Sequence, residues 1–385
     1  MSKRIGLLAV LAVIATVAAI AALLSTGLLH APQKKLAEAG GTGARPAPPR
    51  APPAVPGPLH GVPLAGSTGL RLLVSADPPF VLNVDTGAVR PVTGLNVNGS
   101  PALTVLPVGQ AAVIWLDRHT SPSSIPRAEI YVVRHGMTHA TRIATGWGVA
   151  PADGGHAIWL LSFQGARRCT LAKIGLDGRT RRRARPIGWG CTWRSTQLID
   201  TGSGAALVHG RTVVDPATGR TLLHTGSLWA IADGRALTST GSGPPLTLTD
   251  LRTGTRWRLP WPSRIRGTGG SGTDQAVVQP GGRLIALDFA DPAYALTGTQ
   301  VTDAWLLDPA TRHFRHLPDM PAAVQLKFTS MAWASDGRLV MLAQTDGPSG
   351  NRDLLAVWKP GQRHIALRPV RLPARNSGSD AFVIW

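Results

Sequence analysis

A two-part turn signature recurs from residue 69 to the C-terminus, and it constrains the fold more than any other feature of the chain. One part is an apolar run ending in Asp-x-x-Thr-Gly, carried in full by Asp215-Pro216-Ala217-Thr218-Gly219 and Asp250-Leu251-Arg252-Thr253-Gly254. Asp85-Thr86-Gly87 is a shortened form. Asp177-Gly178, residues 308–312 and Lys359-Pro360-Gly361 are degenerate forms, and His135-Gly136 is a bare turn. The other part falls between these: Ala152-Asp153-Gly154, Ala232-Asp233-Gly234, Gly281-Gly282-Arg283 and Trp333-Ala334-Ser335-Asp336-Gly337-Arg338, each followed by an apolar run of strand length. Period-2 alternation, close-set turns and no convincing amphipathic helix describe an all-β domain. Each repeat is too thin to bury both of its apolar faces, so the repeats must cover one another.

The segment 333–338, the strand after it and the Asp-x-x-Thr-Gly turns resemble the WD-like repeats of TolB-type bacterial propellers. That resemblance spans 69–385 loosely and concerns architecture rather than activity. It implies blades of four antiparallel strands, roughly 40–45 residues each, packed in a ring that leaves only short edges. Seven turns, at 85, 135, 177, 215, 250, 308 and 359, make this a seven-bladed β-propeller. Blade two reads as strands near 103–105, 111–116, 129–134 and 141–144, whereas blade one offers only three, near 70–75, 80–84 and 89–92. The chain ends in Ala381-Phe382-Val383-Ile384-Trp385, which has no blade of its own. It is expected to supply the missing inner strand of blade one, beside 70–75. Most of the twelve Trp fit as packing between blades.

Ahead of the repeats the chain changes character. After a short tail, residues 1–4, the uncharged apolar run 5–29 is long enough to cross a bilayer as one helix. It exceeds the apolar region of a cleaved signal, so an uncleaved signal anchor is expected, with a cleaved and secreted form as the alternative. Residues 30–68 form a Pro-rich linker: eight prolines lie between 46 and 63, and such a stretch favours a semi-rigid polyproline stalk. A stalk suits a domain held clear of a membrane, which places 69–385 outside the cytoplasm and residues 1–4 inside it.

The chain carries 40 Lys and Arg against 21 Asp and Glu, a formal net charge of +19. The excess is mostly Arg, as GC-rich bacterial codon usage produces; it also suits attraction to an anionic polymer. Nucleic acid is the less favoured partner, a protein or an anionic cell-envelope polymer the more favoured. Cys169 and Cys191 sit on loops that leave the same face of the ring, so a disulfide is expected, with two buried thiols as the alternative. The long connections 117–128, 260–272, 288–302 and 344–352 fall on that face too, and long loops on a rigid scaffold commonly carry binding. Trp261, Arg264 and Arg266, with Asp291, Tyr294 and Asp303, are therefore the candidate binding residues. The simpler alternative for 257–266 is a last strand with solvated arginines. A second run, Arg179, Arg181, Arg182, Arg183 and Arg185, is expected in a hairpin turn on the opposite face. No zinc-protease helix, nucleophile elbow or phosphate-binding loop is present. The reading is a non-catalytic, membrane-tethered binding or scaffold module with no cofactor and no metal. The alternative is a propeller hydrolase or lyase whose site lies in the central funnel.

Overall fold

A computed structural model describes residues 59–96, 102–117, 127–164, 168–187, 191–192, 195–202, 204–240, 244–262, 272–290, 299–320, 324–345, 352–373 and 382–384. These form seven four-stranded antiparallel blades, all-β apart from one short 3-10 turn, Asp153–Gly155. Blade two illustrates the unit: Ala102–Val108, Ala111–Asp117, Ala128–Arg134 and Ala140–Gly146 run as a meander from the innermost strand to the outermost. The inner strands of the other blades are Gly148–Ala152, Thr196–Asp200, Ser227–Ala232, Gly272–Val278, Val324–Trp333 and Phe382–Ile384. Blades six and seven are further joined where Thr299–Thr302 pairs with Val324–Lys327.

Chemistry explains the recurrent turns. In each full turn the leading Asp accepts hydrogen bonds from amides of the residues it precedes. Asp215 holds the Ala217 amide at 2.7 Å and the Thr218 hydroxyl at 2.7 Å, and Asp250 holds the Arg252 and Thr253 amides at 2.9 and 2.8 Å. The closing Gly219 and Gly254 sit at φ +81° and +74°, the left-handed region that glycine enters without a Cβ clash. The first turn proves not to be shortened. Asn83, two residues before Asp85, accepts the amides of Asp85 and Thr86 at 2.9 and 3.1 Å, so the unit is Asn83-x-x-Thr86-Gly87.

Ring closure follows the expectation. Phe382–Ile384 pairs antiparallel with Arg71–Val74, in the register Leu72–Ile384, Leu73–Val383 and Val74–Phe382. Trp385 lies outside the described residues. Strand alternation sends Leu72, Val74, Phe382 and Ile384 against blade seven, and Leu73 and Val383 against blade two. All six are buried, at 0–6% exposure. Burying the three C-terminal side chains stabilises the closed ring by roughly 6 kcal/mol at about 2 kcal/mol each.

A second fastening lies outside the first. Val62–Pro63 adds a parallel fifth strand to the outer edge of blade seven, against Ala366 and Leu367, and Leu59 is buried in that blade's core. The chain then crosses to blade one. There Asp85 accepts bonds from the Ser67 and Thr68 hydroxyls and the Thr68 and Gly69 amides, at 2.7–2.8 Å. Arg368 of blade seven reaches Asp85 at 3.0 Å and the carbonyls of Leu64, Gly66 and Val84 at 2.8–3.2 Å. Burial raises the affinity of Asp85 for a proton, but the Ser67, Thr68 and Gly69 donors outweigh it and hold the carboxyl well below its usual range. The end of the Pro-rich linker is thus part of the ring.

Among the described residues no helix is long and apolar enough to cross a membrane; the expected span 5–29 and the linker up to residue 58 lie outside them. The disulfide forms as expected, between Cys169 at the start of a strand and Cys191 in the following connection, with Cα atoms 5.8 Å apart. It is buried with Leu161, Phe163 and Leu207. The arginine run requires a correction. Only Arg179 lies in the turn, while Arg181, Arg182, Arg183 and Arg185 belong to Thr180–Ile187, the outermost strand of blade three. An edge strand needs no apolar face on its solvent side, which is why so polar a stretch is accommodated. Arg182 and Arg185 turn toward blade four and bond the carbonyls of Ala217 and Pro216.

Candidate functional site

The inner strands converge on a central cavity of about 610 Å³, open at the end where inner strands turn into second strands. Its wall is built from the last residues of those strands: Leu106 and Pro107 of blade two, Pro151 and Ala152 of blade three, Asp200 of blade four, Val277 of blade six, Trp333 of blade seven, and Val383 and Ile384 of blade one. Short turns containing Gly109, Gly155, Gly202 and Gly281 form the rim. The mouth is therefore on the short-turn face, opposite the strand ends at Asp117, Ala290 and Thr345 from which long connections leave.

Hydrogen bonds between blades hold the wall in place. The Gln275 side chain accepts the Met331 amide at 3.1 Å and donates to the Met331 carbonyl at 3.0 Å, copying a strand partner across the seam between blades six and seven. The Trp333 indole donates to the Val277 carbonyl at 3.1 Å across the same seam. On the other side, the turn after Asp200 lies tight against blade six. A Cβ on Gly202, which sits at φ +70°, would meet Val278 Cγ1 at 2.4 Å.

Asp200 is the one ionisable side chain in this lining among the described residues; Lys, Arg and His are missing from it. One carboxylate oxygen accepts the Gly202 amide at 2.8 Å. Burial disfavours the ion and pushes the carboxyl up to about 6, with the Gly202 amide opposing only in part. The carboxylates on the flanking turns are engaged on their own blades, Asp153 with Lys173 and Asp233 with Arg235.

Of the residues singled out from the sequence, the two that the structure describes lie elsewhere. Arg264, Arg266, Asp291 and Tyr294 are outside the described residues. Trp261 and Asp303 are brought together in the wall between blades five and six, joined through Phe289. The Trp261 ring meets Phe289 edge-on at 4.8 Å, and Phe289 is the strand partner of Asp303. Asp303 is fully buried and accepts a bond from His316 Nε2 at 2.7 Å, while the His316 ring packs at 4.8 Å on Trp305. Neither Trp261 nor Asp303 lines the cavity. Asp200 was not anticipated: in the sequence it is one Asp-Thr-Gly among several turns, and its setting arises from blades far apart in the chain.

No protein-family model matches the sequence, and no curated relative does. Solved structures similar to it include TolB from Acinetobacter baumannii, at 13% identity over 83% of this chain and 67% of that one, TM-score 0.42. Puromycin hydrolase is similar at 16% identity over 77% of this chain, TM-score 0.46, and this chain spans half of its length, 50%. The propeller domain of the trilobed protease from Pyrococcus furiosus is similar at 10% identity over 80% of this chain and 98% of that one, TM-score 0.45. Propellers host unrelated functions, so what this chain does must be argued from its own site.

Proposed function

We propose that this chain is an extracytoplasmic binding module, tethered by the apolar segment 5–29, that engages a protein partner at the mouth of its central cavity. The observation that carries the reading is the cavity itself: a preformed, mostly apolar concavity of about 610 Å³ whose walls are hydrogen-bonded across blades. Concave apolar sites with a few placed polar groups are the usual form of a binding site. Among the described residues the lining has one carboxylate and no cation, which favours a protein over an anionic envelope polymer at this mouth. The buried disulfide agrees with an oxidising compartment.

The test is site-specific photocrosslinking in the native cells. A photoreactive residue replacing Ser335, which is exposed on the cavity rim, should give a discrete protein adduct. The same group at Met137, 59% exposed away from the cavity, should not. Equal labelling at both positions, or none at Ser335, would contradict the reading.

A further inference from the structure

The charge at Asp200 exceeds what its turn requires. An Asn would hold the Gly202 amide equally well, since both residue types form this turn, and would avoid burying an ion. The second carboxylate oxygen has no hydrogen-bond partner among the described residues, although the chain has 40 Lys and Arg from which one could be drawn. The lining it shares is mostly apolar, with Leu106, Pro107, Val277, Trp333 and Val383 beside the polar Gln275 and Ser335. A half-buried carboxylate with one open oxygen, set in a mostly apolar chamber with no counter-charge among the described residues, is complementary to a cation on an apolar stem. It repels anions, and it leaves a neutral ligand to compete with water for the same oxygen.

We infer that the central cavity binds an alkylammonium group carried on an apolar stem, with Asp200 as its counter-ion. The ammonium bonds the free Asp200 oxygen while the stem displaces water from the apolar wall. Charge-assisted bonds of this kind are about twice as strong as neutral ones. The group has two sources, a lysine side chain of a protein partner or a free amine. The inference deepens the reading of this mouth as a partner site, yet its failure is separable from that reading's, because it is tested with small probes and without the partner.

The experiment is calorimetric titration of the full-length protein with 2-phenylethylamine, its neutral counterpart 2-phenylethanol, and 3-phenylpropanoate. A parallel arm uses the peptide acetyl-Leu-Lys-Leu-amide and its norleucine analogue. The amine or the lysine peptide should bind saturably, about tenfold or more tighter than its uncharged counterpart, a difference of about 1.4 kcal/mol. The propanoate should not bind. In Asp200→Asn the preference for the charged probe should vanish while any binding of the alcohol remains. Tighter binding by the lysine peptide than by the amine would assign the source as a protein side chain; the reverse order would assign a free amine. Equal affinity for amine and alcohol in the natural protein, a result that needs no variant, would overturn the inference. So would an undiminished amine preference in Asp200→Asn, or the absence of saturation by every charged probe.

Discussion

Replacing Asp200 by Asn should make the protein more stable at neutral pH and leave it unchanged in acid. The folded carboxyl is pushed up to about 6 from an ordinary 3.8, because its ion is poorly hydrated beside the cavity. A raised acid binds its proton more tightly in the folded state than in the unfolded one. Its contribution is therefore most favourable below about 3.8 and is lost as pH rises through about 6. A shift of that size corresponds to at most about 3 kcal/mol at about 1.4 kcal/mol per unit, and water at the cavity mouth reduces the expected effect to about 1–2 kcal/mol. Asn keeps the bond to the Gly202 amide and has no ion to bury. Urea unfolding of both proteins at pH 4 and pH 7.5 measures the effect: midpoints should nearly coincide at pH 4 and separate at pH 7.5, with the variant higher. A gap independent of pH, or a variant less stable at pH 7.5, would refute the argument that Asp200 is held as a costly ion.

Other outcomes follow from the same contacts. Replacing both Cys169 and Cys191 by Ser should cost about 3 kcal/mol, the chain-entropy value for a loop closed over 22 residues, read as a lower urea midpoint. Arg368→Ala removes the ties to Asp85 and to three carbonyls of the outer fastening and should cost about 2–3 kcal/mol in thermal unfolding. Because Asp85 is held below its ordinary value of 3.8, the stability of this knot is fully present above that pH and is lost on further acidification, measurable as an acid-unfolding midpoint. Gln275→Ala breaks both bonds to Met331 and should cost about 2 kcal/mol, with faster hydrogen exchange at Met331 than at Val340 on the next strand.

The architecture was legible because its information is local. An Asp or Asn accepting amides, with a glycine four residues on, marks a turn wherever it stands, and such turns together with their degenerate forms count the blades. Closure could be read because blade one lacked a strand and residues 381–385 lacked a blade. The site was less legible because nothing local encodes it. Asp200 becomes unusual only when Leu106, Val277, Trp333 and Val383 come within one chamber, and these are joined by ring geometry rather than by spacing. Likewise, His316 and Asp303 meet across a hairpin 13 residues apart, with no motif to announce it. Trp261 carried a visible aromatic signal, but its ring is occupied by Phe289 between blades. The arginine run drew attention by composition, whereas its place on an edge strand depends on which strand ends the blade.

Closure by the C-terminal strand underlies both the ring and the cavity, since Phe382–Ile384 is itself part of the cavity wall. Hydrogen exchange of the full-length protein, followed by mass spectrometry, tests it directly. The C-terminal peptide containing 382–384 should exchange as slowly as the peptide containing 71–74, both opening only with unfolding of the ring. Exchange of the C-terminal peptide within seconds, while 71–74 stays protected, would contradict it.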